Sequence, residues 1–179
     1  MSTEVSPGSI PELIETVRST PRLLPVGNRT KPRLSDVNIM KLSARKLGGI
    51  TEYDASEFTF TALAGTPLKE IVSALSARGQ YLPFDPPLVD AGATIGGTVA
   101  AGVSGPGRFR FGGIRDFILG VTFVDGSAQL LRMGGKVVKN AAGFDLPSAS
   151  ILSAISGPMP VRITSSSSDM YCRTEPGSP

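Results

Sequence analysis

Two short stretches concentrate the groups that can do chemistry, and in both the backbone is the active part. In "PVGNRTK" (25–31), Pro25 fixes the entry, Gly27 allows close backbone approach, Asn28 tolerates left-handed geometry and Thr30 adds a hydroxyl donor. Successive amides in such a turn can face inward as a nest for an anion. An ordinary strand-to-strand turn uses the same residue types. The second stretch, "GATIGGTVAAGVSG" (92–105), has five glycines and three alanines in fourteen positions and no charge. That is too glycine-rich for a stable helix. Its small residues let backbone line a surface: Gly96 and Gly97 can present N–H groups to phosphate, and Thr94, Thr98 and Ser104 offer hydroxyls. A buried, tightly packed segment would read the same way, and composition does not separate the two.

Side-chain chemistry is limited by what is missing. The 179 residues contain no histidine and one cysteine, Cys172, in a Ser-rich tail. That removes Ser-His-Asp and Cys-His catalysis, His-ligated metals, Cys clusters and any disulfide within the chain, so no metal site is expected. The catalytic residues are not identified. The familiar nucleotide fingerprints fail too: "GPGRFR" has Arg110 at the third glycine position, and "GGK" (134–136) lacks the rest of a phosphate-binding P-loop. The formal net charge of +3 is a mild excess that suits solubility or a small phosphorylated ligand. "GRFRFGGIR" alternates Arg and Phe as a single-strand-binding surface would. No RNA-binding signature accompanies it, and nucleic acid is not an expected partner. The N-terminus lacks the basic start and apolar run of a signal peptide, and no stretch approaches a transmembrane span, so a reducing cytoplasmic setting is expected.

The elements that must hold these loops are legible from their periods. "SIPELIETVRST" (9–20) reads as a helix with Pro11 in its first turn and Leu13, Ile14 and Val17 on one face. "RLLPVGNRTKP" reads as a strand running into the first loop, and 34–42 and 57–65 as further strands. Leu68, Ile71, Val72 and Leu75 define a helix that Thr66 caps, with Pro67 at its first position and Gly79 as its stop. The proline-rich 81–92 is a connection, and 117–135 a hairpin around Asp125-Gly126 with positive φ in a tight turn. The order predicts an α+β protein of two small lobes: 1–84, mixed α/β and carrying the loop at 25–30, and 85–147, β-rich and carrying the loop at 92–105. Residues 148–179 are expected to be a divergent, poorly ordered tail.

In their order and spacing, "GTPL", "GQ-LPFDPP", "GGTVAAG-SGP", "RDFILG" and "GGKVVKNAAGFDL" resemble the FAD-binding domain of the vanillyl-alcohol-oxidase (PCMH) type, from about Leu24 to Leu146. They are most similar to the FAD-binding subunit of bacterial glycolate oxidase. The resemblance implies a PCMH-type fold of two small α/β subdomains. It assigns Pro25, Val26, Gly27, Asn28, Arg29 and Thr30 to a first pyrophosphate loop. A second loop beside the flavin and pyrophosphate comprises Gly92, Ala93, Thr94, Ile95, Gly96, Gly97, Thr98, Ala100, Ser104 and Gly105. Lys139, Asn140 and Gly143, with Phe144 and Asp145, match a "KN-AGYD" segment near the last part of the FAD site; Phe144 stands where the family usually has tyrosine. Lys139 can stabilise negative charge on reduced flavin or be a surface lysine. Arg115-Asp116 match a family dipeptide suited to an ion pair or turn closure rather than cofactor contact.

The resemblance further implies an oxidoreductase subunit of glycolate metabolism. Its non-covalent FAD accepts hydride from a 2-hydroxy acid such as glycolate and passes electrons onward, with sister flavoprotein and iron–sulfur subunits as partners. Whether this chain alone is an enzyme is left open, and the alternative is a non-catalytic remnant or interaction module that no longer binds FAD. After Leu146 the family's glycine-rich "GS-GTLG-ITE" strand is replaced by "PSASILSAISGPMPVRITSSSSDM". The expectation is a truncated or frame-shifted product lacking the last part of the fold and the substrate (cap) domain, with a sheet edge left unpaired.

Overall fold

A computed structural model describes residues 4–31, 38–134 and 161–164. The first unit is a parallel three-stranded sheet in the order β1-β3-β2, from β1 (Glu4–Val5), β2 (Leu23–Val26) and β3 (Met40–Ser43). Helix α1 (Ile10–Ser19) makes the crossover from β1 to β2. Ser9 caps it by accepting from the Glu12 amide, and Pro11 lies in its first turn as expected. Leu13 and Val17 face inward onto Leu42 and Leu47.

The second unit is an antiparallel sheet in the order β4-β5-β8-β6-β7. Its strands are β4 (Ile50–Asp54), β5 (Thr59–Ala62), β6 (Gly120–Val124), β7 (Leu130–Gly134) and β8 (Val161–Thr164). Helices α2 (Leu68–Ser76), α3 (Ile95–Ala101) and the single-turn α4 (Arg108–Phe111) belong to the connection between β5 and β6, followed by a 3-10 turn at Ile114–Phe117. A core of Phe60, Ala62, Leu68, Ile71, Leu75, Phe84, Ile95, Val99, Ile114 and Phe117 lies under this sheet. Val124 and Ala128, at the hairpin end, join the α1 core instead and tie the two units together.

Several expectations are corrected. Sheet membership changes between Ser43 and Ile50, where β4 and β5 pair into the second sheet. The proline loop is a connection inside one unit. Thr66 does not cap α2; Pro67 occupies that position without a side-chain bond. The Thr66 hydroxyl instead donates toward the carbonyls of Leu63 (2.6 Å) and Gly49 (3.0 Å) and accepts from the Gly49 amide (2.9 Å). Gly79, at φ +68°, does end the helix. The hairpin forms, but its connection runs from Asp125 to Gln129 and its left-handed residue is Ala128 rather than Gly126. Asp125 Oδ1 organises that turn by accepting from the amides of Ser127 and Gln129.

The unpaired sheet edge expected beyond Leu146 does not occur between β5 and β6. β8 fills that place, with Phe60 opposite Ile163 and Val121 opposite Val161. "VRIT" alternates β-branched and polar residues, a pattern too short to stand out in a serine-rich tail, and its pairing is entirely long-range.

Candidate functional site

The first loop leaves the edge strand β2, where Pro25 costs no central ladder bond. The Val26 carbonyl accepts from the Ala44 amide at 2.9 Å and anchors the loop's base. Beyond it the left-handed residue is Arg29, at φ +54°, and not Asn28. A non-glycine residue in that region stores strain that its surroundings must hold in place. The Arg29 guanidinium is paired with Glu4 on β1, which supplies that hold. Among the described residues, none accepts a hydrogen bond from the amides of Gly27, Asn28, Arg29 or Thr30. Consecutive unclaimed amides around a left-handed residue are the donor set of an anion nest. Lys31 follows, half-buried, and burial lowers its pKa from the ordinary 10.5; a phosphate beside it would favour the charged form again.

The second loop is built differently from its expectation. Gly92, at φ +81°, ends a turn, and Thr94 then caps α3 by accepting from the Gly97 amide at 3.3 Å. The segment from Ile95 to Ala101 is therefore helical, despite its glycines. Ile95 and Val99 anchor it in the core, and Gly102 terminates it in the left-handed region. Its amides are engaged internally: Ile95 donates to the Thr66 carbonyl and Gly96 to the Ala64 carbonyl, both at 2.9 Å. Gly96 is small because α3 abuts Ala64, whose Cβ would lie 2.7 Å from any Cβ at this position. The amides of Gly96 and Gly97 thus hold the helix in place rather than standing free for phosphate.

Ser104 and Gly105 are also structural. Ser104 Oγ accepts from the Ile114 amide at 3.1 Å, and the Gly105 amide donates to the Asp85 carbonyl at 2.7 Å. Ala93, Thr94, Ile95 and Thr98 are buried and Ala100 is half-buried. Asp116 Oδ2 accepts from the Gly113 amide at 2.7 Å, the turn closure expected of the Arg115-Asp116 pair.

What makes one site of two loops is their seam. Asn28 Nδ2 donates to the Gly92 carbonyl at 2.7 Å, and Arg45 Nε donates to Asn28 Oδ1 at 2.9 Å. Gly27 faces Thr94 so closely that a Cβ there would lie 2.3 Å from Thr94 Oγ1. Two buried hydroxyls lie on the elements that meet here: Ser43, opposite Val26, and Thr98, in α3; neither has a hydrogen-bond partner among the described residues.

The structure therefore brings Pro25–Thr30 together with Gly92–Thr98. Ser104 and Gly105 are tied instead to Ile114 and Asp85. Lys139, Asn140 and Gly143 lie outside the described residues, as do Phe144, Asp145 and Cys172. Sequence reasoning missed Arg45, Ser43 and Lys31. Only Lys31 had a local signal, as the residue directly after the loop.

Comparison with known proteins gives the chain a family. The family described as "FAD binding domain" matches residues 2–134. The glycolate oxidase subunit GlcE of Escherichia coli is 48% identical over 105 residues, covering 59% of this chain and 30% of that protein. A D-2-hydroxyglutarate dehydrogenase of Xanthomonas citri pv. viticola is 30% identical over 146 residues, covering 78% and 31%. The solved structure of an alkyldihydroxyacetonephosphate synthase superposes with a TM-score of 0.72 at 20% identity, over 90% of this chain and 31% of that one. The chain thus spans about a third of the length of each of these proteins.

Proposed function

The chain belongs to the FAD binding domain family, and from that premise we propose that it is the cofactor-binding part of a flavin-dependent 2-hydroxy-acid oxidase or dehydrogenase of the glycolate oxidase kind. It has the PCMH-type FAD-binding fold, and its cofactor is FAD. The observation that carries the reading is the seam between the loops, where the Gly27–Thr30 amides, without an acceptor among the described residues, adjoin the α3 segment through Asn28 and Gly92.

In this reading the Gly27–Thr30 amides hold the pyrophosphate, with Lys31 supplying positive charge beside them. Thr94, Ile95 and Gly96 hold the α3 segment at a fixed depth, and Gly27 keeps it close to the first loop. When bound, FAD supplies the two-electron acceptor chemistry that takes a 2-hydroxy acid to its 2-oxo acid. Two relatives support that substrate class by name, one a glycolate oxidase subunit and the other a D-2-hydroxyglutarate dehydrogenase. That a relative is called a subunit supports a partner subunit as the onward electron acceptor. Among the described residues no helix is long and apolar enough to cross a membrane, and a cytoplasmic setting is part of the proposal.

The test is uptake of FAD by the purified chain, read from flavin absorbance and fluorescence quenching. Anaerobic bleaching of the bound flavin by glycolate or D-2-hydroxyglutarate, with and without a sister subunit, then follows. Uptake with bleaching supports the proposal. A colourless protein that takes up no added FAD would return the chain to a non-catalytic interaction role.

A further inference from the structure

Arg45 sits in the turn after β3, exposed at the surface, far in sequence from both loops. Its Nε–H is nevertheless spent on Asn28 Oδ1 (2.9 Å), and Asn28 spends its Nδ2 on the Gly92 carbonyl (2.7 Å). These two bonds run in series through one planar amide. An asparagine amide can adopt two orientations that exchange donor and acceptor. The Gly92 carbonyl, an acceptor, and the Arg45 Nε–H, a donor at Oδ1, both favour the orientation in which Nδ2 faces Gly92, and Arg45 holds the amide from its other end. Gly92 lies at φ +81° at the head of the α3 segment, so the clasp holds the second loop at the turn that sets its position. Asn28 itself lies between Gly27, pressed against Thr94, and the left-handed Arg29.

We propose that Arg45 is a positioning residue for the cofactor. Through the Asn28 amide it fixes the spacing between the pyrophosphate loop and the α3 wall, and it acts by its Nε–H rather than by its charge. This inference rests on FAD being the ligand of the seam. It predicts a specific pattern of substitutions. Gln places Nε2 at the same point along the side chain as Arg Nε, one bond beyond Cδ, and keeps the donor without the charge. Met reaches as far with a methyl group and no donor.

The experiment measures FAD affinity by fluorescence quenching for wild type, Arg45→Gln, Arg45→Met, Asn28→Ala and the Arg45→Met/Asn28→Ala double variant. Hydrogen exchange of the 88–97 amides in the FAD-free protein is followed in parallel. Arg45→Met and Asn28→Ala should each weaken FAD about three- to tenfold, the range of one lost hydrogen bond. Arg45→Gln should stay within about twofold of wild type, and the double variant should bind no more weakly than Asn28→Ala alone. Exchange at Gly92 and Ala93 should quicken in Arg45→Met and Asn28→Ala but not in Arg45→Gln. If Arg45→Gln binds as weakly as Arg45→Met, the guanidinium acts by charge and the proposal fails. It fails equally if the two single losses add, or if exchange is unchanged in Arg45→Met. A wild-type chain that takes up no FAD would overturn the proposed function, while the exchange pattern would still decide whether the clasp sets the loop.

Discussion

The contact between Gly27 and Thr94 predicts a mutation whose sign depends on its neighbour. Alanine at position 27 would place its Cβ 2.3 Å from Thr94 Oγ1 and 3.5 Å from Thr94 Cβ. The first distance is impossible, so something must give. If Thr94 rotates, it surrenders its bond to the Gly97 amide and α3 loses its cap, at a cost of about 1 kcal/mol. If the first loop withdraws instead, the Asn28–Gly92 bond breaks, at a cost of roughly the same size. Against either stands the reduced unfolded-state entropy of alanine, worth about 0.4–1 kcal/mol where the backbone tolerates it. Gly27 is not in the left-handed region, so the backbone does tolerate it. Gly27→Ala should therefore destabilise the wild type by up to about 0.6 kcal/mol. In a Thr94→Ala background the hydroxyl is gone and the nearest remaining atom is Cβ at 3.5 Å, an ordinary contact. There the same substitution should be neutral or stabilising. Denaturant unfolding of the four proteins at constant m gives the coupling, expected at about 1 kcal/mol, or roughly 2–4 °C in Tm for a chain this size. A Gly27→Ala cost that is equal in both backgrounds would refute the packing argument and leave no close contact between the loops.

Three further outcomes follow from the same structure. Gly65→Ala would set a Cβ 2.0 Å from the Ala44 carbonyl oxygen and 2.8 Å from that of Leu47. Neither backbone atom can rotate away, so a loss above about 3 kcal/mol, or failure to fold, is expected in unfolding and expression yield. Thr66→Val keeps the shape of a fully buried side chain but strands the Gly49 amide, and should lower stability by about 1–3 kcal/mol in chemical denaturation. For Lys31, burial holds the folded pKa below the unfolded 10.5, so in that window the unfolded chain binds more protons and the FAD-free protein gains stability as pH rises. If Lys31 serves the pyrophosphate as proposed, FAD affinity should move the opposite way, falling as pH rises through the lowered pKa. Titrations of Lys31→Arg, which stays charged throughout, should lack that fall.

How much of this was legible in the sequence depends on how far the deciding partner lies. Helices α1 and α2 and the β6–β7 hairpin follow from local period and turn residues, and the segments forming the site follow from resemblance. The roles within those segments do not, because their partners are remote. Nothing near Gly96 says that Ala64 lies 2.7 Å from its absent Cβ, or that its amide is taken by the Ala64 carbonyl. Two glycines cost a helix about 2 kcal/mol by propensity. α3 forms regardless, because Thr94 and Gly102 close its ends and Ile95 and Val99 bury its face. The same long-range bonds that make it a helix use up the amides a glycine-rich loop was expected to offer. In the proposed reading the anion-binding duty falls to Gly27–Thr30, where a left-handed Arg29 is paired with Glu4 and the consecutive amides have no acceptor among the described residues. Glycines such as Gly96 serve closeness between protein segments, and in the proposed reading it is the first loop, with half as many residues and one glycine, that offers its backbone donors to a ligand.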